Sequence, residues 1–319
     1  MKGIIKKIFR FILKTILGVI IFIAAMLLAM TIYNILGCSK DKEILSKPVG
    51  EFVEVDGHRM NIYVEGNGDH TIVFMSGWGT ESPIYDFKPL YSKLSDEYKC
   101  VVIEKFGYGF SDEIEGERDF DTILRQDREA LEKAGIKAPY VLCAHSLSGL
   151  EATLWAQKYP DEVEAIVGLD MTLGNYKGLA DKEESGTSKT INGLNKVVRF
   201  VGLNRILMSI SEFDDMSDTE KEQYIALVCK NQGNDTVMRE YDGIRKACEE
   251  INSMPLPDVA TLQYLDDSSN NDEAYISACK QIIEASSNGK MIQLDCGHYV
   301  HHFESERISS EMKELIGDL

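Results

Sequence analysis

Two kinds of patterning alternate along most of this chain. Largely apolar runs at 71–75, 100–103, 140–143, 164–169, 259–265 and 290–294 have the length and the lack of polar alternation expected of strands buried on both faces. Between them apolar residues return at helical spacing: over 84–95, over 120–135 with Ile123, Leu124, Leu131 and Ala134 on one face, over 147–158, and in a last segment carrying Ile308, Met312, Leu315 and Leu319. Strand and helix in alternation predict a mainly parallel sheet with helices on both sides. The segment 51–64 reads as a hairpin turning at Asp56-Gly57, which adds an antiparallel edge. From 173 to 254 the strand pattern stops, and 191–210, 218–230 and 235–251 read as helices. Ser217-Asp218-Thr219-Glu220 offers the second of these a capping box.

The N-terminus follows a third pattern. Between Lys14 and Lys40 there are 25 residues without a formal charge, mostly Ile, Leu, Val, Phe, Ala and Met, enough as a helix to cross the apolar core of a bilayer. Residues 15–36 are therefore expected to span the lipid bilayer. A cleaved signal peptide is the competing reading, but its apolar region is shorter and ends in small residues, whereas this run ends in Tyr33-Asn34-Ile35-Leu36-Gly37-Cys38. Ile35-Leu36-Gly37-Cys38 is only faintly similar to a lipoprotein cleavage site, because Leu36 is bulky. Five basic residues precede the run, while Lys40, Lys42 and Lys47 after it are interleaved with Asp41 and Glu43. That asymmetry predicts a single-pass protein with its N-terminus in the cytoplasm and its body outside.

Charge sharpens the picture of that body. The first forty residues hold six of the 34 basic residues and no acid, which leaves 28 bases against 52 acids, a formal −24. So acidic a body repels phosphate backbones, and nucleic acid is not an expected partner. Seven scattered cysteines contain no Cys-x-x-Cys pair, so they read as small buried apolar residues rather than a zinc site.

The chemistry concentrates in Val141-Leu142-Cys143-Ala144-His145-Ser146-Leu147-Ser148-Gly149-Leu150, a buried strand, a sharp turn and a helix start. A serine at the apex of such a turn is held in a strained conformation with its hydroxyl projecting above the sheet. The turn requires small residues two before and two after it. Ala144 and Ser148 stand where Gly-x-Ser-x-Gly has glycines, with Gly149 one step later. Acyl transfer also needs a base, an orienting acid and donors to the oxyanion. His298, in Leu294-Asp295-Cys296-Gly297-His298-Tyr299 between the last strand and the last helix, is the candidate base. His301 and His302 are its rivals, and three close histidines also raise the question of a metal, but no carboxylate pattern accompanies them and no metal is expected.

At these residues the sequence resembles the α/β-hydrolase family. Met75-Ser76-Gly77-Trp78-Gly79 is similar to the family's His-Gly-x-Gly turn, with Ser76 in place of the histidine, and Glu104-Lys105-Phe106-Gly107-Tyr108-Gly109-Phe110-Ser111-Asp112 is similar to its Gly-x-Gly-x-Ser turn. With Ser146 and His298 these matches cover nearly all of 51–319. The resemblance implies an α/β-hydrolase fold: a core over 51–172 and 255–319, a helical cap over 173–254, and a polar tether over 39–50 joining it to the basic segment and helix of 1–38. It implies Ser146 as nucleophile, His298 as base, and the backbone N–H groups of Leu147 and Trp78 as the oxyanion hole, with no cofactor. For the acid, most of the family points to the strand after the cap, hence Asp266 or Asp267, while members such as haloalkane dehalogenases carry it where Asp170 stands. Asp170 is favoured and Asp266 is the alternative. A serine nucleophile argues against the dehalogenase and epoxide-hydrolase branches. The expected activity is cleavage of an ester or amide of a small molecule, with an aminopeptidase of the proline-iminopeptidase kind and a non-catalytic binding protein as the other readings.

Overall fold

A computed structural model describes residues 2–176, 179, 187–209 and 216–319. Eight strands, β1 (Glu51–Val55), β2 (His58–Glu65), β3 (Thr71–Met75), β4 (Lys99–Glu104), β5 (Tyr140–His145), β6 (Val163–Leu169), β7 (Ala260–Leu265) and β8 (Gly289–Gln293), form one sheet. Their order is β1-β2-β4-β3-β5-β6-β7-β8, antiparallel at β1-β2 and β2-β4 and parallel elsewhere. The hairpin turns on Asp56 (φ 51°) and Gly57 (φ 77°), two positive-φ residues that match the twist of the strands they join.

The doubly buried strands serve two cores. In β3, Val73 and Met75 join a core with Leu131, Leu150, Leu154 and Trp155, while Ile72 and Phe74 join another with Ile84, Leu90, Ile308 and Met312. Helices Phe120–Lys133 and Ser148–Lys158 thus cover one face, and the short helices after β3 and the last helix, Ser305–Gly317, the other. The expected helix over 84–95 is two short ones, Pro83–Asp86 and Lys88–Tyr91, because Pro89 has no N–H to carry the ladder on. A helix not anticipated from the pattern, Glu273–Ala285, lies between β7 and β8 with Asp272 capping its N-terminus.

Between β6 and β7 the only regular elements among the described residues are helices, chiefly Thr187–Val201, Leu203–Ser209, Asp218–Asn231, Asp235–Glu240 and Ile244–Ser253; within the expected 173–254 insertion, 177, 178, 180–186 and 210–215 lie outside the described residues. The capping box forms, with Ser217 and Glu220 each bonding the other's backbone N–H.

The N-terminal helix runs from Lys2 to Ile44, so that 39–44, expected as tether, are helical. It is long and apolar enough to cross a membrane, a property that signal sequences share. Its far end is fastened to the inserted helices. Arg205 donates to Asn34 Oδ1 (3.1 Å) and to both oxygens of Asp41, and Asn34 Nδ2 donates to the carbonyls of Arg199 (2.9 Å) and Phe200 (3.3 Å).

Candidate active site

Residues His145 and Leu169 are paired across β5 and β6, so the next residues, Ser146 and Asp170, leave neighbouring strands at the same level. Both have positive φ, 52° and 47°, a conformation that costs a non-glycine residue of order 1 kcal/mol or more and is retained where the surroundings over-determine it. Here they do. Ser146 N–H donates to Leu169 O (3.3 Å), Thr172 N–H to Ser146 O (2.7 Å), and Asp170 N–H to Tyr264 O (3.0 Å). The departures from Gly-x-Ser-x-Gly also have local reasons. Ala144 is fully buried, and Ser148 turns its hydroxyl into the carbonyls of Met75 (2.7 Å) and His145 (2.8 Å). At the true glycine, Gly149, a Cβ would stand 2.4 Å from Thr172 O.

His298 completes a chain of hydrogen bonds. Its Nδ1–H donates to Asp170 Oδ2 (2.6 Å), leaving Nε2 to accept from Ser146 Oγ (2.8 Å). The Asp170 bond raises the imidazole pKa above its ordinary value, against the lowering effect of burial. Asp266 is close by but turned to its own loop: its carboxylate accepts from Ser268 Oγ (2.9 and 3.0 Å) and from Ser269 N–H (2.7 Å), while its backbone N–H donates to Asp170 Oδ1 (3.2 Å). Asp266 thereby helps aim Asp170. Ligand atoms of Asp170, Asp266 and His298 lie within 4.8 Å of one another, as do those of Asp86, His301 and His302.

The two rival histidines belong to that second group. His301 Nε2 and His302 Nε2 each lie 3.0 Å from an Asp86 oxygen; burial opposes ionisation of Asp86, but the two histidines outweigh it and hold the carboxyl below its usual range. His145 is buried beside His298. Burial first, then His301, pushes its pKa down to about 3, so it is neutral and its Nε2–H donates to the His298 carbonyl (3.2 Å).

Trp78, Leu147, Ser146 and His298 line one cavity of about 300 Å³, closed in by Leu179, Tyr241 and Ile244. At Gly77 a Cβ would stand 2.8 Å from Ser146 Cβ, so the Trp78 turn comes as near the serine as a backbone can. What holds that turn was not evident from sequence. Lys105, buried, donates to Ser76 O (3.1 Å) and faces Glu151 at 3.6 Å. In the next turn, the buried Glu104 carboxylate accepts from Phe110 N–H (2.7 Å) and Asn61 (2.9 Å) and leaves room only for glycine at 109. Arg118 and Tyr108 both bond Glu240 (2.8 and 2.6 Å), and Trp78 Nε1 donates to Val237 O (2.9 Å), which fixes the inserted helix Asp235–Glu240 to this side of the site.

A mainly parallel sheet that brings a serine, a histidine and a carboxylate together at its strand ends is the build of a hydrolase. The chain belongs to the alpha/beta hydrolase fold family, whose model matches residues 70–227. It is 36% identical over 260 residues to the uncharacterized protein YbdG of Bacillus subtilis, covering 78% of each chain. Over a shorter stretch of 103 residues it is 34% identical to a pimeloyl-[acyl-carrier protein] methyl ester esterase of Aliivibrio salmonicida, covering 32% of this chain and 36% of that one. Among solved structures, a thermophilic esterase from Thermogutta terrifontis shares the fold with a TM-score of 0.63 at 18% identity, covering 84% of this chain and 99% of that one. Family and relatives support a hydrolase.

Proposed function

We propose that the protein is a membrane-anchored serine hydrolase that cleaves a small acyl ester or amide through an acyl-enzyme on Ser146. The observation that carries this reading is the continuous hydrogen-bond chain from Ser146 Oγ through His298 to Asp170. Ser146 Oγ attacks the acyl carbonyl as its proton passes to His298 Nε2. Asp170 holds the imidazole in the required tautomer and stabilises the imidazolium. The N–H groups of Leu147 and Trp78 bind the oxyanion, an arrangement supported by the place of both residues in the serine's cavity. His298 then gives its proton to the leaving group. A water, deprotonated by the same nitrogen, attacks the acyl-enzyme, releasing the acid and restoring Ser146.

Between ester and amino-terminal peptide, the cavity favours the ester. Its described lining is mainly apolar, aromatic and imidazole, with the hydroxyls of Ser146 and Thr172, and offers a free ammonium no carboxylate. Retention of the N-terminal helix is supported by the fastening of Asn34 and Asp41 to Arg205, which makes the helix part of the folded body. The inserted helices act as a cap over the site.

The test is labelling of the full-length protein in detergent by a fluorophosphonate, read by intact mass beside Ser146→Ala. A single adduct absent from the variant is expected. Folded protein that takes no label at any probe concentration would move the non-catalytic reading ahead.

A further inference from the structure

Helix Thr187–Val201 carries an apolar stripe at Leu194, Val197 and Phe200, three apart and so on one face. These side chains are 63%, 58% and 68% exposed. The stripe is placed beside the N-terminal helix. Asn34 reaches the carbonyls of Arg199 and Phe200, and at Gly202 (φ 72°) a Cβ would meet Asn34 Cβ at 2.5 Å. Asn34 itself stands two residues before Leu36, the end of the apolar run, or about 3 Å along the helix axis. Phe200 therefore sits at the depth where the apolar run ends.

Charge singles out the same segment. Residues 187–209 contain Lys189, Lys196, Arg199 and Arg205 and not one acid, in a chain with 52 acids and 34 bases. Arg205 is engaged by Asp41, and Lys196 pairs at the surface with Asp235 at 2.7 Å. A basic helix with an exposed apolar stripe is the pattern of helices that lie in a bilayer interface, and the acidic remainder of the body has no such affinity.

We infer that the outer face of helix Thr187–Val201 is a second membrane contact, lying in the headgroup region of an anionic leaflet beside the span. The inference rests on reading the N-terminal helix as a membrane span. Its consequence for the site is direct. Asn195, on the same helix, lines a cavity of about 260 Å³ with Trp78, which also lines the cavity over Ser146. Docking therefore brings bilayer lipid up to the approach to the serine.

The experiment uses the full-length chain reconstituted in phosphatidylglycerol–phosphatidylcholine vesicles with bromine on the acyl chains. Phe200→Trp and, independently, Val197→Trp add a fluorophore on the stripe; Lys137→Trp adds one in the exposed loop before β5, at the opposite ends of the strands. Both stripe tryptophans are expected to lose most of their added emission relative to unbrominated vesicles, and Lys137→Trp none. Stripe tryptophans that stay unquenched in vesicle-bound protein overturn the inference. An unquenched emission that shifts to the blue as protein density rises overturns it in favour of a second copy of the chain. Parent protein that fails to float with vesicles removes the span itself, and the inference with it.

Discussion

Gly77 and His298 are the residues at which the proposed chemistry is most open to test. Gly77→Ala would drive a methyl to 2.8 Å from Ser146 Cβ and 3.1 Å from His145 Nδ1; it is expected to lower kcat by about 10²-fold or more by displacing an oxyanion donor, with the far-ultraviolet spectrum unchanged, as steady-state kinetics would show. In the proposed mechanism His298 must be neutral to take the serine proton, and its bond to Asp170 raises its pKa above the ordinary 6.5. Activity is therefore lost as pH falls through that raised value, and the acid limb of kcat/KM is expected above pH 6.5. Asp170→Asn should move the limb to lower pH and cost about 10⁴-fold in kcat. Asp266→Asn should cost far less, because only its backbone N–H touches Asp170. Equal losses from the two variants would refute this assignment. Sequence alone favours Asp170 and keeps Asp266 as the alternative, and what it does not contain is the register His145↔Leu169 that sets Ser146 beside Asp170. Ser146, His298 and Trp78 could be singled out in the sequence because each sits in a short motif with a particular residue type at a fixed offset, and the structure brings all three to one cavity.

At the level of elements, runs buried on both faces announced β3 to β7 directly, whereas two other features stayed hidden for identifiable reasons. Helix Glu273–Ala285 buries Tyr275, Ala278, Cys279 and Ile282, and the small side chains in its middle blur the apolar period. Residues 39–44 look like a tether because a polar helix has the same composition as a polar linker, and only distant partners, Arg205 on Asp41 and Glu222 on Lys40, decide between them. That clamp is testable. Arg205 and Asp41 are both buried, and removing one member of such a pair leaves an uncompensated charge at a cost of about 3–5 kcal/mol. Arg205→Met is expected to lower the denaturation midpoint of the detergent-solubilised chain accordingly. The double variant Asp41→Asn, Arg205→Met should cost less than the sum of the single ones. Additive costs would mean that the two side chains do not stabilise each other. The buried group of Lys105 and Arg118, on loops, with Glu151 and Glu240, on helices, was equally illegible, because charged residues ordinarily face water.

For the whole molecule, the division of charge predicts topology. Five bases before the apolar run, against mixed charge after it, are expected to keep the N-terminus inside and the body outside. Protease added to intact cells should then degrade the body without lysis, and a body protected until lysis reverses the orientation. The clamp at the end of the N-terminal helix has a mechanical meaning too. A domain on a slack string can tumble in every direction, but a shaft bolted to its load passes its own constraints on. With the helix upright in a bilayer, what remains to the body is drift in the plane and spin about the normal. The serine then travels at a constant height, sweeping a fixed circle around its own axle.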